Sequence, residues 1–337
     1  MEVAVKRVCL LIACLAAALE AQAQVPLSPT DYQVSFFEAP AAPIASTTPT
    51  TTFRSRVDVV ALNVIVTDGA QKFVTGLAPA DFAVYEDGVQ QEVSFFGASD
   101  VPLDLAILLD TSASMTGKIQ TAQQAAIGFV STLRASDRAT IIDIKDSARV
   151  VFPLGSEADA ARKAILATVP SGGTALYNGT YLALKEMAKE RRSNGEVRRQ
   201  AIVLLSDGAD TSSLISYDDV MELAKQSGIS IYTISLRSKY DLIRAASRGT
   251  HYFSQSDFGM KALAQETGAR AFFPSDISEL SGVYSSIAEE LATQYALGYT
   301  SKNPRVDGTY RRVIVQVMAK PGVRTRTRAG YLSARVR

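Results

Sequence analysis

Asp110, Ser112 and Ser114 stand at alternate positions in Asp110-Thr111-Ser112-Ala113-Ser114, directly after the apolar run Leu103 to Leu109. A carboxylate and two hydroxyls, placed where a buried strand should turn into a helix, make an oxygen cage for a hard divalent cation. Two later segments supply further donors. Ser171-Gly172-Gly173-Thr174 brings a hydroxyl, and a second apolar run from Ala201 ends in Ser206-Asp207-Gly208, which brings a carboxylate. Magnesium takes oxygen ligands at about 2.0 to 2.1 Å in near-octahedral order and usually keeps several waters, so hydroxyls with one or two carboxylates suit it better than the larger calcium shell.

Each of these residues also has an ordinary reading. Asp110, Ser112 or Ser114 alone would serve as a helix N-cap, Thr174 could cap a helix beginning at Ala175, and Asp207-Gly208 is a common turn. Their occurrence in order, each at a strand or helix junction, favours the joint reading. Asp210 fits a solvated loop carboxylate better than an outer-shell role. A hydrolytic triad could be drawn from Ser112 or Ser114, an aspartate and His251, the only histidine. Neither serine lies in a Gly-x-Ser-x-Gly turn, however, and no oxyanion donor is identifiable.

Positioning such donors requires a sheet whose strands end together. From Leu103 onward, apolar strands and amphipathic helices alternate, which predicts a mostly parallel sheet covered on both faces. Strands are expected at 103–109, 140–144, 148–154, 201–205, 229–236 and 271–273, with 140–144 and 148–154 joined by a tight turn so that one is an antiparallel edge. Helices are expected at 118–133, 158–169, 175–191, 217–227, 260–267 and 277–291. Residues 237–258, which contain His251, read as a long irregular loop. In an open α/β sheet ligands bind outside the carboxyl ends of the strands, where strand order reverses. Asp110 and Asp207 each end such a strand.

Both flanks are of β type. Runs at 57–67, 82–86 and 89–96 precede the alternating core, with Asp87-Gly88 as a hairpin turn, and runs at 294–300, 310–318 and 323–332 follow it. The simplest arrangement joins the two flanks in one β-sandwich. Beyond Ser301, Lys302, Arg305, Arg311, Arg312, Lys320, Arg324, Arg326, Arg328, Arg335 and Arg337 face only Asp307. Basic side chains on the solvent face of alternating strands account for this better than an acidic partner.

The Asp-x-Ser-x-Ser motif at Asp110 to Ser114, with Thr174 and Asp207, resembles the metal-ion-dependent adhesion site of the von Willebrand factor A family. The resemblance covers about Pro102 to Leu291. Two further segments, Thr75 to Gly88 and Leu297 to Tyr299, are similar to β flanks found in a bacterial secreted group of that family. It implies an α/β, doubly wound, mostly parallel sheet with a flanking antiparallel β-sandwich built from both ends of the chain. It also implies that Ser112, Ser114 and Thr174 are hydroxyl ligands of Mg2+, with Mn2+ or Ca2+ as alternatives. Asp110 and Asp207 would act partly through water and orient the shell. The vacant vertex would take an Asp or Glu carboxylate from a protein partner, and Gly172 and Gly173 would let the Thr174 loop move as that ligand binds. The expected function is thus a non-enzymatic, metal-dependent binding module. Its alternatives are a metal-assisted hydrolase and an accessory subunit of an ATP-driven chaperone or metal-insertion complex. No Gly-x-x-x-x-Gly-Lys-Ser/Thr loop is present to make this chain the ATPase.

The organisation expected is a signal peptide at 1–23, a Pro/Thr-rich tether at 24–55, a β flank at 56–100, the A domain at 101–291 and a second β flank at 292–337. Lys6 and Arg7, the apolar Val8 to Leu19 and Ala21-Gln22-Ala23 carry the leader signal, which implies a secreted or periplasmic protein. Its apolar core is too short to span a bilayer. Cys9 and Cys14 both lie in the leader, so the mature chain would hold no disulfide. A lipid anchor at Cys14 is the lesser alternative. With 337 residues, 47% apolar composition and a net charge of +1, the chain can bury a substantial core and has no field that suggests nucleic-acid binding.

Overall fold

Strand β5, Leu103–Asp110, is buried at all eight positions, because both faces of the sheet it centres are covered. Its odd-numbered side chains, from Leu103 to Leu109, join one apolar cluster, and Ala106 and Leu108 join another. This two-sided burial is why the strand reads as a continuous apolar run rather than an alternating one. The computed structural model describes residues 59–98, 100–194, 197–236, 254–320 and 322–333, all of which belong to one compact unit, Ser55–Arg337. The expected leader, the tether, and His251 within the expected long loop lie outside the described residues.

The central sheet has six strands in the order β10-β9-β8-β5-β6-β7: β6 is Arg138–Ile144, β7 Ala148–Gly155, β8 Arg199–Ser206, β9 Ser230–Ser235 and β10 Ala271–Phe272. All pairings are parallel except β6 with β7, the antiparallel edge. The chain steps from β5 to β6 on one side and later to β8 on the other, so strand order reverses at β5. Helices α1 (Ile119–Val130), α2 (Ala158–Leu166) and α6 (Leu280–Thr293) pack on one face. On the other face lie α3 (Leu176–Asn194), α4 (Tyr217–Ser227) and α5 (Gln255–Glu266). Helix α5 begins five residues before the expected start. Its first turn is set by a capping box in which Ser254 accepts from the Asp257 N–H at 3.1 Å, not by apolar periodicity. No described helix is long and apolar enough to cross a membrane.

The two flanks meet as two four-stranded antiparallel sheets, β13-β1-β11-β4 and β14-β12-β2-β3. Strands β1 (Val59–Thr67), β2 (Phe82–Glu86), β3 (Val89–Gln91) and β4 (Val93–Gly97) come from the first flank. Strands β11 (Tyr295–Thr300), β12 (Tyr310–Val317), β13 (Arg324–Arg326) and β14 (Gly330–Leu332) come from the second. Their shared core includes Leu62, Val84, Leu297 and Val315. Asp87 (φ 48°) and Gly88 (φ 83°) form the turn between β2 and β3, both left-handed as a two-residue hairpin requires.

Two segments expected as single strands are each split between the sheets. Residues 89–96 break at exposed Glu92 into β3 and β4, and 323–332 divides into β13 and β14. The basic segment also needs correction. Arg311 and Arg328 are buried: Arg311 faces inward on β12 and pairs with Glu86 at 3.2 Å. Arg326 reaches out of β13 to Glu290 of α6 at 2.5 Å, and Glu290 also accepts from Tyr232 OH at 2.7 Å. Gly268 (φ 77°) lets this seam close, since a Cβ there would lie 2.4 Å from the Arg328 backbone nitrogen.

Candidate metal centre

The parallel register pairs Leu109 of β5 with Leu205 of β8, which sets Asp110 beside Ser206 at the carboxyl ends of the two central strands. Asp110 is fully buried. One carboxylate oxygen accepts the Ser112 N–H at 2.9 Å and the other accepts the Ser206 hydroxyl at 2.6 Å. Burial pushes the Asp110 carboxyl above its ordinary value and the nearby Asp207 charge adds to this, while the bonds from Ser112 and Ser206 oppose it.

After Asp110 the chain makes a single 3-10 turn, Ala113–Met115. Met115 is fully buried beneath it, which aims the two serines at the crest. Ser112 Oγ and Ser114 Oγ lie 2.9 Å apart, and the Ser114 hydroxyl donates to Asp207 Oδ1 at 2.6 Å. The second Asp207 oxygen is ion-paired with Lys118.

The Thr174 loop is fastened to both neighbours. Gly172 O accepts from Ala113 N–H at 3.0 Å, and Ser171 N–H donates to Thr111 O at 2.9 Å. On its other side, Thr174 N–H donates to Thr211 Oγ1 at 2.9 Å, and Thr174 O accepts from Thr211 N–H at 2.9 Å. Asp146 holds the turn itself by accepting Gly173 N–H at 2.6 Å. The glycines serve close approach: a Cβ on Gly172 (φ 69°) would fall 2.0 Å from Asp146 Oδ2. In this structure the loop is held on several sides.

All five expected residues, Asp110, Ser112, Ser114, Thr174 and Asp207, are carried on these three interlocked loops. Asp210 is engaged elsewhere, accepting from Ser213 Oγ at 2.5 Å and from Tyr177 N–H at 3.2 Å near the start of α3. Sequence reading overlooked Ser206, Lys118, Asp146 and Thr211. Lys118, four residues beyond Ser114, and the hydroxyl run Thr211-Ser212-Ser213 were the available signals.

Two of the candidate donors, the Ser112 and Ser114 hydroxyls, share a hydrogen bond whose length is also the ligand spacing of a magnesium-sized ion. Neighbouring ligands of an octahedral ion at 2.0 to 2.1 Å are about 2.9 Å apart, and the two serine hydroxyls have that separation. Among the described residues no group of three or more His, Cys, Asp or Glu side chains gathers as a metal cluster. Any cation here would draw mainly on neutral hydroxyls.

The model of the von Willebrand factor type A domain matches residues 104–267. This chain carries a von Willebrand factor type A domain. It is 35% identical over 111 residues to an uncharacterized protein of Synechocystis sp., covering 32% of this chain and 26% of that protein. It is 24% identical over 218 residues to an uncharacterized protein of Borreliella burgdorferi, covering 60% of this chain and 59% of that one. The similarity thus spans about a quarter and three fifths of those relatives. Among solved structures, a von Willebrand factor type A protein from Catenulispora acidiphila aligns with 82% of this chain and 74% of its own, at 12% identity and a TM-score of 0.46. The type A match includes Asp110, Ser112, Ser114, Thr174 and Asp207 and stops short of both β flanks.

Proposed function

We propose that this protein is a metal-dependent protein-binding module of the adhesion type. Ser112, Ser114 and Thr174 supply hydroxyl ligands to Mg2+, and Asp110 and Asp207 hold the shell, partly through water. Bound there, the ion offers a Lewis-acidic vertex that an Asp or Glu carboxylate of another protein can fill. Neutral hydroxyl ligands leave the ion most of its charge, which favours an anionic partner. In this reading the leader at 1–23 delivers the protein to the periplasm or the exterior, and 24–55 tethers it.

The observation that carries the reading is the run of oxygens from Asp207 Oδ1 through Ser114 Oγ to Ser112 Oγ, in steps of 2.6 and 2.9 Å, beside a buried Asp110 whose carboxyl is pushed up. Calorimetric titration of the parent with Mg2+ and Mn2+ tests it. One site is expected, and Asp110→Ala and Thr174→Ala should abolish the heat while circular dichroism stays that of the parent. Equal heats for parent and variants would remove these residues from the site. A pull-down from envelope extract with and without chelator then tests the partner: capture that survives chelation would separate binding from the metal.

A further inference from the structure

Lys118 is the N-cap of α1, and its backbone is fixed at both ends. Its N–H donates to Met115 O at 2.8 Å and its carbonyl accepts from Ala122 N–H at 3.1 Å. Its side chain is 29% exposed and ends on Asp207, whose side chain is 1% exposed. The ammonium therefore lies at the rim with its charge against a buried oxygen of the candidate centre. Among the described residues, Lys145 and Arg149 reach Asp143 instead, at 3.6 and 3.2 Å. Asp207 thus divides its two oxygens between the Ser114 hydroxyl and Lys118.

We infer that Lys118 is a built-in cationic competitor that weakens the hold of the Asp207 side of this centre on a divalent ion. The inference rests on the metal-binding reading above. A cation drawing on Asp207 must either displace the ammonium, giving up an ion pair whose carboxylate is buried, or accept a like charge a few ångströms away. Both routes lower affinity, so the sign does not depend on which one the side chain takes. A site weakened in this way fills and empties with the ambient cation concentration instead of retaining trace metal.

Mn2+ is the probe, followed by calorimetry and by electron paramagnetic resonance of the free ion, on the full chain. Lys118→Met keeps the aliphatic stem and removes the charge, and should bind Mn2+ on the order of tenfold more tightly than the parent. Lys118→Arg keeps the charge and should stay within about threefold of the parent. Lys118→Gln gives a second neutral side chain in case the methionine variant does not fold. If the parent binds Mn2+ and both neutral variants bind it equally or more weakly, the inference is overturned and the metal reading stands. If the parent shows no Mn2+ binding that Asp110→Ala removes, the metal reading fails and the inference fails with it.

Discussion

Two buried carboxylates, Glu86 in the β-sandwich and Asp110 at the crest of the type A domain, are treated in opposite ways. Glu86 accepts from Tyr299 OH and Tyr331 OH, each at 2.8 Å, and from Ser301 Oγ at 2.5 Å, and it pairs with buried Arg311. Burial alone would raise its carboxyl, but the bonds from Ser301, Tyr299 and Tyr331 and the Arg311 charge outweigh it, and the group is held below its ordinary value. These partners sit on both sheets, so Glu86 cross-links the sandwich. Asp110 receives two hydrogen bonds and faces another carboxylate, Asp207, and its carboxyl is pushed up. Glu86 has a cationic partner of its own, whereas Lys118 at the second site pairs with Asp207, and Asp110 is held by hydrogen bonds. The first arrangement serves stability, and in the proposed function the second serves binding.

The largest contrast should therefore appear in unfolding. Glu86→Ala strands the Arg311 guanidinium and should cost about 3 to 5 kcal/mol, as breaking a buried pair does. Asp110→Ala removes a group whose ionised form is already disfavoured, and in chelator it should cost about 1 kcal/mol or less. Urea denaturation followed by circular dichroism measures both, and equal losses would erase the distinction. Divalent cation should then reverse the ranking. Saturating Mg2+ at 100 times its Kd should stabilise the parent by about 2.7 kcal/mol. A folded Glu86→Gln variant should gain as much and Asp110→Ala nothing, as read from the same curves.

Acid separates the two carboxyls by sign. The folded value of Glu86 lies below the unfolded 4.5, so its contribution is present above about pH 4.5 and is lost as pH falls through the lower folded value. For Asp110 the folded value lies above the unfolded 3.8, so its ionisation costs stability at neutral pH and that cost disappears as the group protonates. In chelator, the stability gap between the parent and Glu86→Gln should narrow from pH 6 to pH 3. Over the same range any advantage of Asp110→Asn over the parent should also shrink. Gaps that do not change with pH would show that neither group is shifted.

The alternating core was legible because its signals are local. Strands covered on both faces are continuous apolar runs, helices carry spaced apolar positions, and Asp87-Gly88 announces a hairpin. The splits of 89–96 and 323–332 were hidden, since a strand that changes sheets at Glu92 keeps the local pattern of one that does not. Burial of Arg311 was hidden for a different reason: its carboxylate partner is 225 residues away in the chain. The start of α5 was written in Ser254 and Asp257, a capping signal that apolar periodicity passes over. At the centre, motif and strand ends mark the candidate donors in the sequence. The residues that hold them, Ser206, Asp146 and Thr211, acquire meaning only when the three loops lie side by side.

Asp146 offers the finest test of whether the crest is built for binding. It is exposed, so its removal should change unfolding by no more than about 0.5 kcal/mol. Yet it accepts the Gly173 N–H at 2.6 Å, one residue before Thr174, and in the proposed function it thereby positions the Thr174 hydroxyl. Asp146→Ala should therefore weaken Mn2+ binding by roughly fivefold, the equivalent of one lost hydrogen bond of about 1 kcal/mol. Asp146→Asn keeps an acceptor oxygen and should recover most of that loss. A loop that moves freely would bind Mn2+ equally well in all three proteins, whereas loss and recovery of affinity without a change in unfolding would mark Asp146 as a positioning residue for Thr174.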